Sequence, residues 1–169
     1  KVFYKLAIND RRSNSISPGI HEIDLKISAN AALDQLLDSK RNRGVFGFIE
    51  GLRKNEIFDL LKKSNLVSGS LSASIKPDKI YKTSNLEGFL FPAQYSFPPG
   101  TSTDTAVNQM IQRFNLAAKT SKIDQGFNEY SPFELVTIAS IIQAEGDPQD
   151  FTKIARVIYN RLKIRMPLQ

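Results

Sequence analysis

Apolar positions along the chain switch between a period of two, which suits a half-buried strand, and a period of three to four, which suits one face of a helix. Residues 2–8 are rich in β-forming side chains, and Ile23, Leu25 and Ile27 fall on alternate positions within 21–27, so both stretches are predicted strands. Helical spacing follows at Ala32, Leu33, Leu36 and Leu37, with Ser28 and Asn30 as candidate caps. A second cycle repeats the pattern: a strand over 45–49, a turn at Glu50-Gly51, and a helix stripe of Ile57, Leu60 and Leu61. Two strand-then-helix units predict a small α+β module rather than a repeat array, which needs three or more units.

Residues 67–84 carry weaker signals and read as a connector or short helical segment. An apolar run over 86–91 stops at Pro92, and Pro98-Pro99-Gly100 marks a turn. Ser102 or Thr103 then caps a predicted helix whose stripe is Val107, Met110, Ile111 and Phe114. Ser131-Pro132-Phe133-Glu134 combines an N-cap serine, a proline at the first helical position and a glutamate three residues after the cap, which is a capping box. In the helix it opens, Leu135, Ile138, Ile142 and Glu145 lie at i, i+3, i+7 and i+10, so a carboxylate stands where the apolar stripe would continue. Gly146 permits a stop, and Asp147-Pro148-Gln149-Asp150 opens another helix with the stripe Phe151, Ile154, Ala155, Ile158 and Leu162. The two helices form a corner with Glu145 near its apex. The fold class expected is α+β, divided into a small module over 1–66 and a largely helical region over 67–169.

Composition narrows the chemistry. There is no cysteine and one histidine, His21, which removes disulfides, thiolate catalysis and Cys- or His-rich metal sites. No run of about 18 apolar residues is present, and the start does not read as a signal peptide. The net charge of +6 suits a polyanionic partner or simple solubility. Its cations are scattered apart from Lys40, Arg41 and Arg43, with no nucleic-acid-binding signature, so nucleic acid is not an expected partner. Walker, dinucleotide, G-x-S-x-G and H-E-x-x-H patterns are absent.

Glu145 is the principal candidate for chemistry. A carboxylate facing inward beside isoleucines is desolvated, which favours the protonated form that a general acid needs. The plainer reading packs its stem inward and pairs the carboxylate with solvent, Arg156 or Arg161. Glu87 interrupts an apolar run and precedes Gly88, which allows close backbone approach; it is a second candidate, or a structural partner for a nearby cation. Tyr95, Tyr159, Asn160 and Gln169 suit sugar hydroxyls and acetamido groups, and suit ordinary cores and rims equally.

The stretches Leu86-Glu87-Gly88-Phe89-Leu90-Phe91-Pro92-Ala93-Gln94-Tyr95, Ala139-Ser140-Ile141-Ile142-Gln143-Ala144-Glu145, Tyr159-Asn160-Arg161-Leu162 and Met166-Pro167-Leu168-Gln169 occur in an order and with gaps that resemble the YceG-like family, the endolytic murein transglycosylases also called MltG. Residues 1–66, through Gly19 to Leu37 and Glu50-Gly51-Leu52 to Leu61, resemble the same family's LysM-like region. The resemblance implies a lytic transglycosylase that cuts peptidoglycan strands internally between N-acetylmuramic acid and N-acetylglucosamine and leaves 1,6-anhydro ends. It implies Glu145 as catalytic acid/base, Glu87, Tyr95, Asn160 and Gln169 as substrate-binding residues, and neither a metal nor an organic cofactor. It also implies an N-terminal membrane anchor beyond this chain, action on the outer face of the bacterial cytoplasmic membrane, and wall-synthesis partners such as penicillin-binding proteins.

The chain departs from the family pattern at Gln143, where an acid is frequent, and at Ala93-Gln94, where the tyrosine motif usually reads F-P-D-T-Y. Glu145 is then the acid left in its segment. The family's catalytic region continues past the Leu168-Gln169 pair, so a region cut short at its C-terminal side is expected. Two other functions stay in view. A pyridoxal-phosphate lyase would need a Schiff-base lysine beside a phosphate cradle, which the sequence does not offer. A non-catalytic peptidoglycan-binding module would bind strands without shortening them.

Overall fold

The computed structural model describes residues 2–17 and 19–168. Helices dominate, joined by two small two-stranded sheets, which is a mixed α+β architecture. The chain opens with α1 (Val2–Asn9), where the richness in β-forming residues had predicted a strand. The run lacks strict alternation, since Leu6, Ala7 and Ile8 are consecutive. Leu6 and Ala7 are half-buried in a helix that packs on α2 (Ala29–Leu37), so tertiary packing overrides β propensity. Val2, Tyr4 and Ile8 remain exposed. A 3₁₀ turn at Arg11–Ser15 follows, and Arg12 ties it down by bridging Asp10 at 2.8 Å and Asp34 of α2 at 3.0 Å.

The second predicted strand is reduced to β1 (Ile20–His21), which pairs antiparallel with β2 (Asn42–Arg43). Beyond His21 the chain turns away: Lys26 takes a left-handed φ of 59°, and Leu25 is 89 % exposed, so the alternation at 23, 25 and 27 reflects no buried face. Polar contacts hold this turn instead. Gln35 donates to Asp24 at 2.7 Å, and Arg41 pairs with Asp24 at 3.3 Å. Ser28 caps α2 as expected, accepting from the Ala31 amide, and Leu33 is fully buried.

The main core forms across chain position 66. β3 (Val45–Gly47) pairs antiparallel with β4 (Gln94–Ser96), which sets Phe46 opposite Tyr95. Ile57 and Leu61 of α3 (Lys54–Lys63) join Phe46, Leu86, Leu90, Tyr95, Phe97 and the inner face of α4 (Thr103–Ser121) in one buried cluster. Ser102 caps α4, whose Val107 and Met110 are wholly buried, each contributing about 1.5–3 kcal/mol. Leu60 of the predicted α3 stripe is 40 % exposed, because α3 turns Ile57, Phe58 and Leu61 towards the core. A second aromatic group packs Tyr81, Phe89 and Phe114 edge to face at 4.8–5.7 Å, with Phe133 stacked on Phe89 at 6.4 Å. Residues 67–84 serve as a connector containing a 3₁₀ turn at Lys79–Tyr81. Among the described residues no helix is long and apolar enough to cross a membrane.

Candidate active site

The site rests on α5 (Pro132–Glu145). Ser131 Oγ accepts from the Glu134 amide at 3.3 Å, and the Glu134 carboxylate accepts from the Ser131 amide at 2.8 Å, completing the expected capping box. The Ser131 hydrogen bonds hold the Glu134 carboxyl below its ordinary pKa. Leu135 and Ile138 are buried, whereas Ile142 is half-buried and Glu145 exposed, so the stripe loses cover towards the helix end. Gly146 ends the helix with extended backbone. A Cβ there would stand 2.8 Å from Ile154 Cδ1, the end of a flexible side chain, so the next helix packs close to the corner. That next helix, α6 (Phe151–Lys163), starts later than predicted because Pro148–Asp150 winds as a tighter 3₁₀ turn before it.

The α5–α6 corner encloses a groove of about 510 Å³. Ile141, Ile154, Val157 and Ile158 form its apolar wall, and Glu145, Asp150, Lys153 and Arg161 supply its charges. Ile141 and Glu145 stand one turn apart on α5, while Asp150, Lys153, Ile154, Val157 and Arg161 recur on one side of α6. Lys153 pairs with Asp150 at 2.9 Å. Among the described residues Glu145 makes no ion pair and no side-chain hydrogen bond, so the pairing with Arg156 or Arg161 considered from the sequence does not occur. Nor is the carboxylate desolvated in the groove floor, as the stripe predicted. It stands exposed on the rim, since the helix stops at Gly146. A free carboxylate on the edge of an apolar concavity is open to an incoming oxygen, which is the geometric requirement for a proton donor.

The other sequence candidates are dispersed. Glu87 accepts from the Lys54 amide at 3.3 Å, at the N-terminus of α3, where Glu56 also accepts from the Arg53 amide at 2.7 Å. A carboxylate there satisfies a free helix amide and complements the helix dipole. Asn85 fixes this contact by accepting from both the Glu87 amide at 3.1 Å and Lys54 Nζ at 2.7 Å. Tyr95 lies in the core, stacked near Phe97 and Phe48, with its hydroxyl donating to the Phe91 carbonyl. Its ring therefore serves packing rather than a ligand, and burial pushes its pKa up to about 12 against the opposing effect of Arg113. Asn160 is exposed on α6, seven residues beyond Lys153 and so on nearly the same side, but outside the groove lining. Tyr159 turns the other way, meeting Tyr130 at 5.4 Å and lining a separate hollow of about 420 Å³ with Phe127 and Gln125. Gln169 lies outside the described residues; its neighbour Leu168 lines the groove.

Sequence reasoning did not single out Lys153 and did not treat Arg161 as a ligand-facing group. The signal was their spacing from Asp150 and Val157 along α6.

An endolytic murein transglycosylase of Bacillus subtilis is 45 % identical over 86 residues, a stretch covering 50 % of this chain and 24 % of that protein. One from Streptococcus pneumoniae is 40 % identical over 87 residues, covering 50 % of this chain and 15 % of its own length. The matched stretch thus spans a quarter or less of either relative. The YceG-like family matches over residues 1–169, and the chain belongs to that family.

Proposed function

We propose that this chain carries the acid/base of an endolytic peptidoglycan lytic transglycosylase, and that Glu145 is that residue. The observation that carries the reading is the unpaired Glu145 carboxylate on the rim of the α5–α6 groove. Family membership and the names of the two relatives agree with it. In this reading Glu145 gives its proton to the oxygen linking N-acetylmuramic acid to N-acetylglucosamine as that bond breaks. The muramyl C6 hydroxyl then closes on its own anomeric carbon, and its proton returns to the Glu145 carboxylate. One C–O bond breaks, one forms, and no water is consumed. Because the nucleophile is intramolecular, no second carboxylate has to activate water, which fits a groove where Asp150 is already engaged by Lys153.

We assign Glu87 a positioning role at α3 and leave sugar contacts to the groove, to Asn160 on α6 and to Gln169. The division into a LysM-like part over 1–66 and a catalytic part over 67–169 is proposed as one of function, since the packing joins both through a shared core. Action on the outer face of the cytoplasmic membrane, near wall-synthesis enzymes, follows from the same reading.

The test is Glu145→Gln in the full-length protein. Glutamine keeps shape and hydrogen bonding but has no proton to give, so strand cleavage should fall by about 10²–10⁴ with the melting temperature unchanged. Wild-type products should end in 1,6-anhydromuramic acid, lighter than reducing ends by the mass of a water molecule. Reducing ends as the main product would refute the transglycosylase reading, and binding without shortening would make the protein a wall-binding module.

A further inference from the structure

Some cations of this chain are committed to partners. Arg12, Arg41 and Arg43 pair with Asp10 and Asp34, Asp24, and Glu22 respectively, Arg113 sits over the Phe91 ring at 5.4 Å, and in the groove itself Lys153 is held by Asp150. Arg161 differs. It lines the groove, it is half-buried, and among the described residues it makes no ion pair and no side-chain hydrogen bond. Its backbone carbonyl is used, accepting from the Met166 amide at 2.8 Å, and this return of the chain after α6 brings Leu168 to the groove. Arg161 thus shares the groove lining with Val157, Ile158 and Leu168, and its side-chain donors are unspent.

We propose that Arg161 recognises a carboxylate carried by the muramyl residue of the glycan, and so selects peptidoglycan over uncharged amino-sugar polymers. This rests on the reading of the groove as the glycan site. A guanidinium offers a planar fork that matches a carboxylate in two parallel hydrogen bonds, and its weak hydration makes it suited to a partly buried site. Apolar walls strengthen that attraction over its value in water. The pairing pattern points the same way: Lys153 and Asp150 hold each other, which leaves Arg161 as the groove cation open to an anionic ligand. The carboxylate has two possible sources. In strands stripped of peptide it is the lactyl group, and in strands bearing peptide it belongs to the stem.

The experiment is calorimetric titration of the full-length protein in the Glu145→Gln background, which leaves ligands intact. The probes are chitotetraose, a muramyl-containing tetrasaccharide without stems, and the same tetrasaccharide with stems. At low salt one or both muramyl ligands should bind more tightly than chitotetraose. Arg161→Gln should weaken that binding by roughly ten- to a hundredfold while leaving chitotetraose unchanged, and Arg161→Lys should recover part of it. Loss confined to the stem-free ligand identifies the lactyl group, and loss confined to the stem-bearing one identifies the peptide. Equal weakening for all three probes, or none, overturns the proposal. A wild type that binds these ligands with this selectivity yet releases no anhydro ends would instead refute the proposed reaction.

Discussion

Gly44 joins β2 to β3 with φ at +68°, and an added Cβ would stand 2.5 Å from the Phe97 carbonyl oxygen, which is backbone and cannot rotate aside. Its own carbonyl accepts from the Phe97 amide at 2.8 Å, so the two segments are hydrogen-bonded at this close approach. Gly44→Ala therefore imposes two costs. A side chain in left-handed backbone costs about 1–2 kcal/mol, and relieving the clash stretches or breaks the Phe97 hydrogen bond, about 0.5–1.5 kcal/mol more. For a chain of this size each kcal/mol moves the melting temperature by about 2–4 °C, so a fall of roughly 3–14 °C is expected. Gly69 is the matched control: its φ is +84°, but nothing lies within 4 Å of an added Cβ, so Gly69→Ala carries the backbone cost alone. Scanning calorimetry of both variants should place Gly44→Ala lower by about 1–6 °C. Equal melting temperatures would refute the argument that this close approach locks β3 to β4.

Ser131→Ala removes the acceptor for the Glu134 amide and should lower stability by about 1 kcal/mol, a fall of about 2–4 °C in a thermal melt; an unchanged melt would mean the capping box is idle. Tyr95 gives an alkaline signature. Its folded value of about 12 lies above the ordinary value near 10, so its contribution is whole below pH ~10 and is lost as pH rises towards 12. Tyr95→Phe should flatten the decline of the urea midpoint between those pH values.

What the sequence disclosed was mostly local. Ser28, Ser102 and the Ser131–Glu134 box were legible because a cap depends on residues three positions apart, and the α5–α6 corner followed from Gly146 and Pro148. Failures came where distant partners decide. Residues 2–8 become a helix because α2 lies beside them, and the alternation at 21–27 finds no surface to bury against. Tyr95 reads as a sugar contact until β4 meets β3, and Glu87 reads as a second acid until Lys54, 33 residues earlier, presents its amide. The position of Glu145 was legible to the turn, but its exposure was not, since burial depends on what covers the helix end.

The tapering cover along α5 bears on motion. Its first half is clamped by the capping box and by Leu135 and Ile138, whereas its last residues, Ala144 and Glu145, are exposed and end at a glycine. Opening free energy follows buried contacts, so this helix unravels first at the turn that bears the acid. Glycan lying across Glu145 and α6 would still that turn, and the entropy given up would be subtracted from the affinity. Weak binding of short fragments would then be compatible with close engagement of the acid, and amide exchange at residues 143–146, slowed by ligand, would report that engagement better than a dissociation constant.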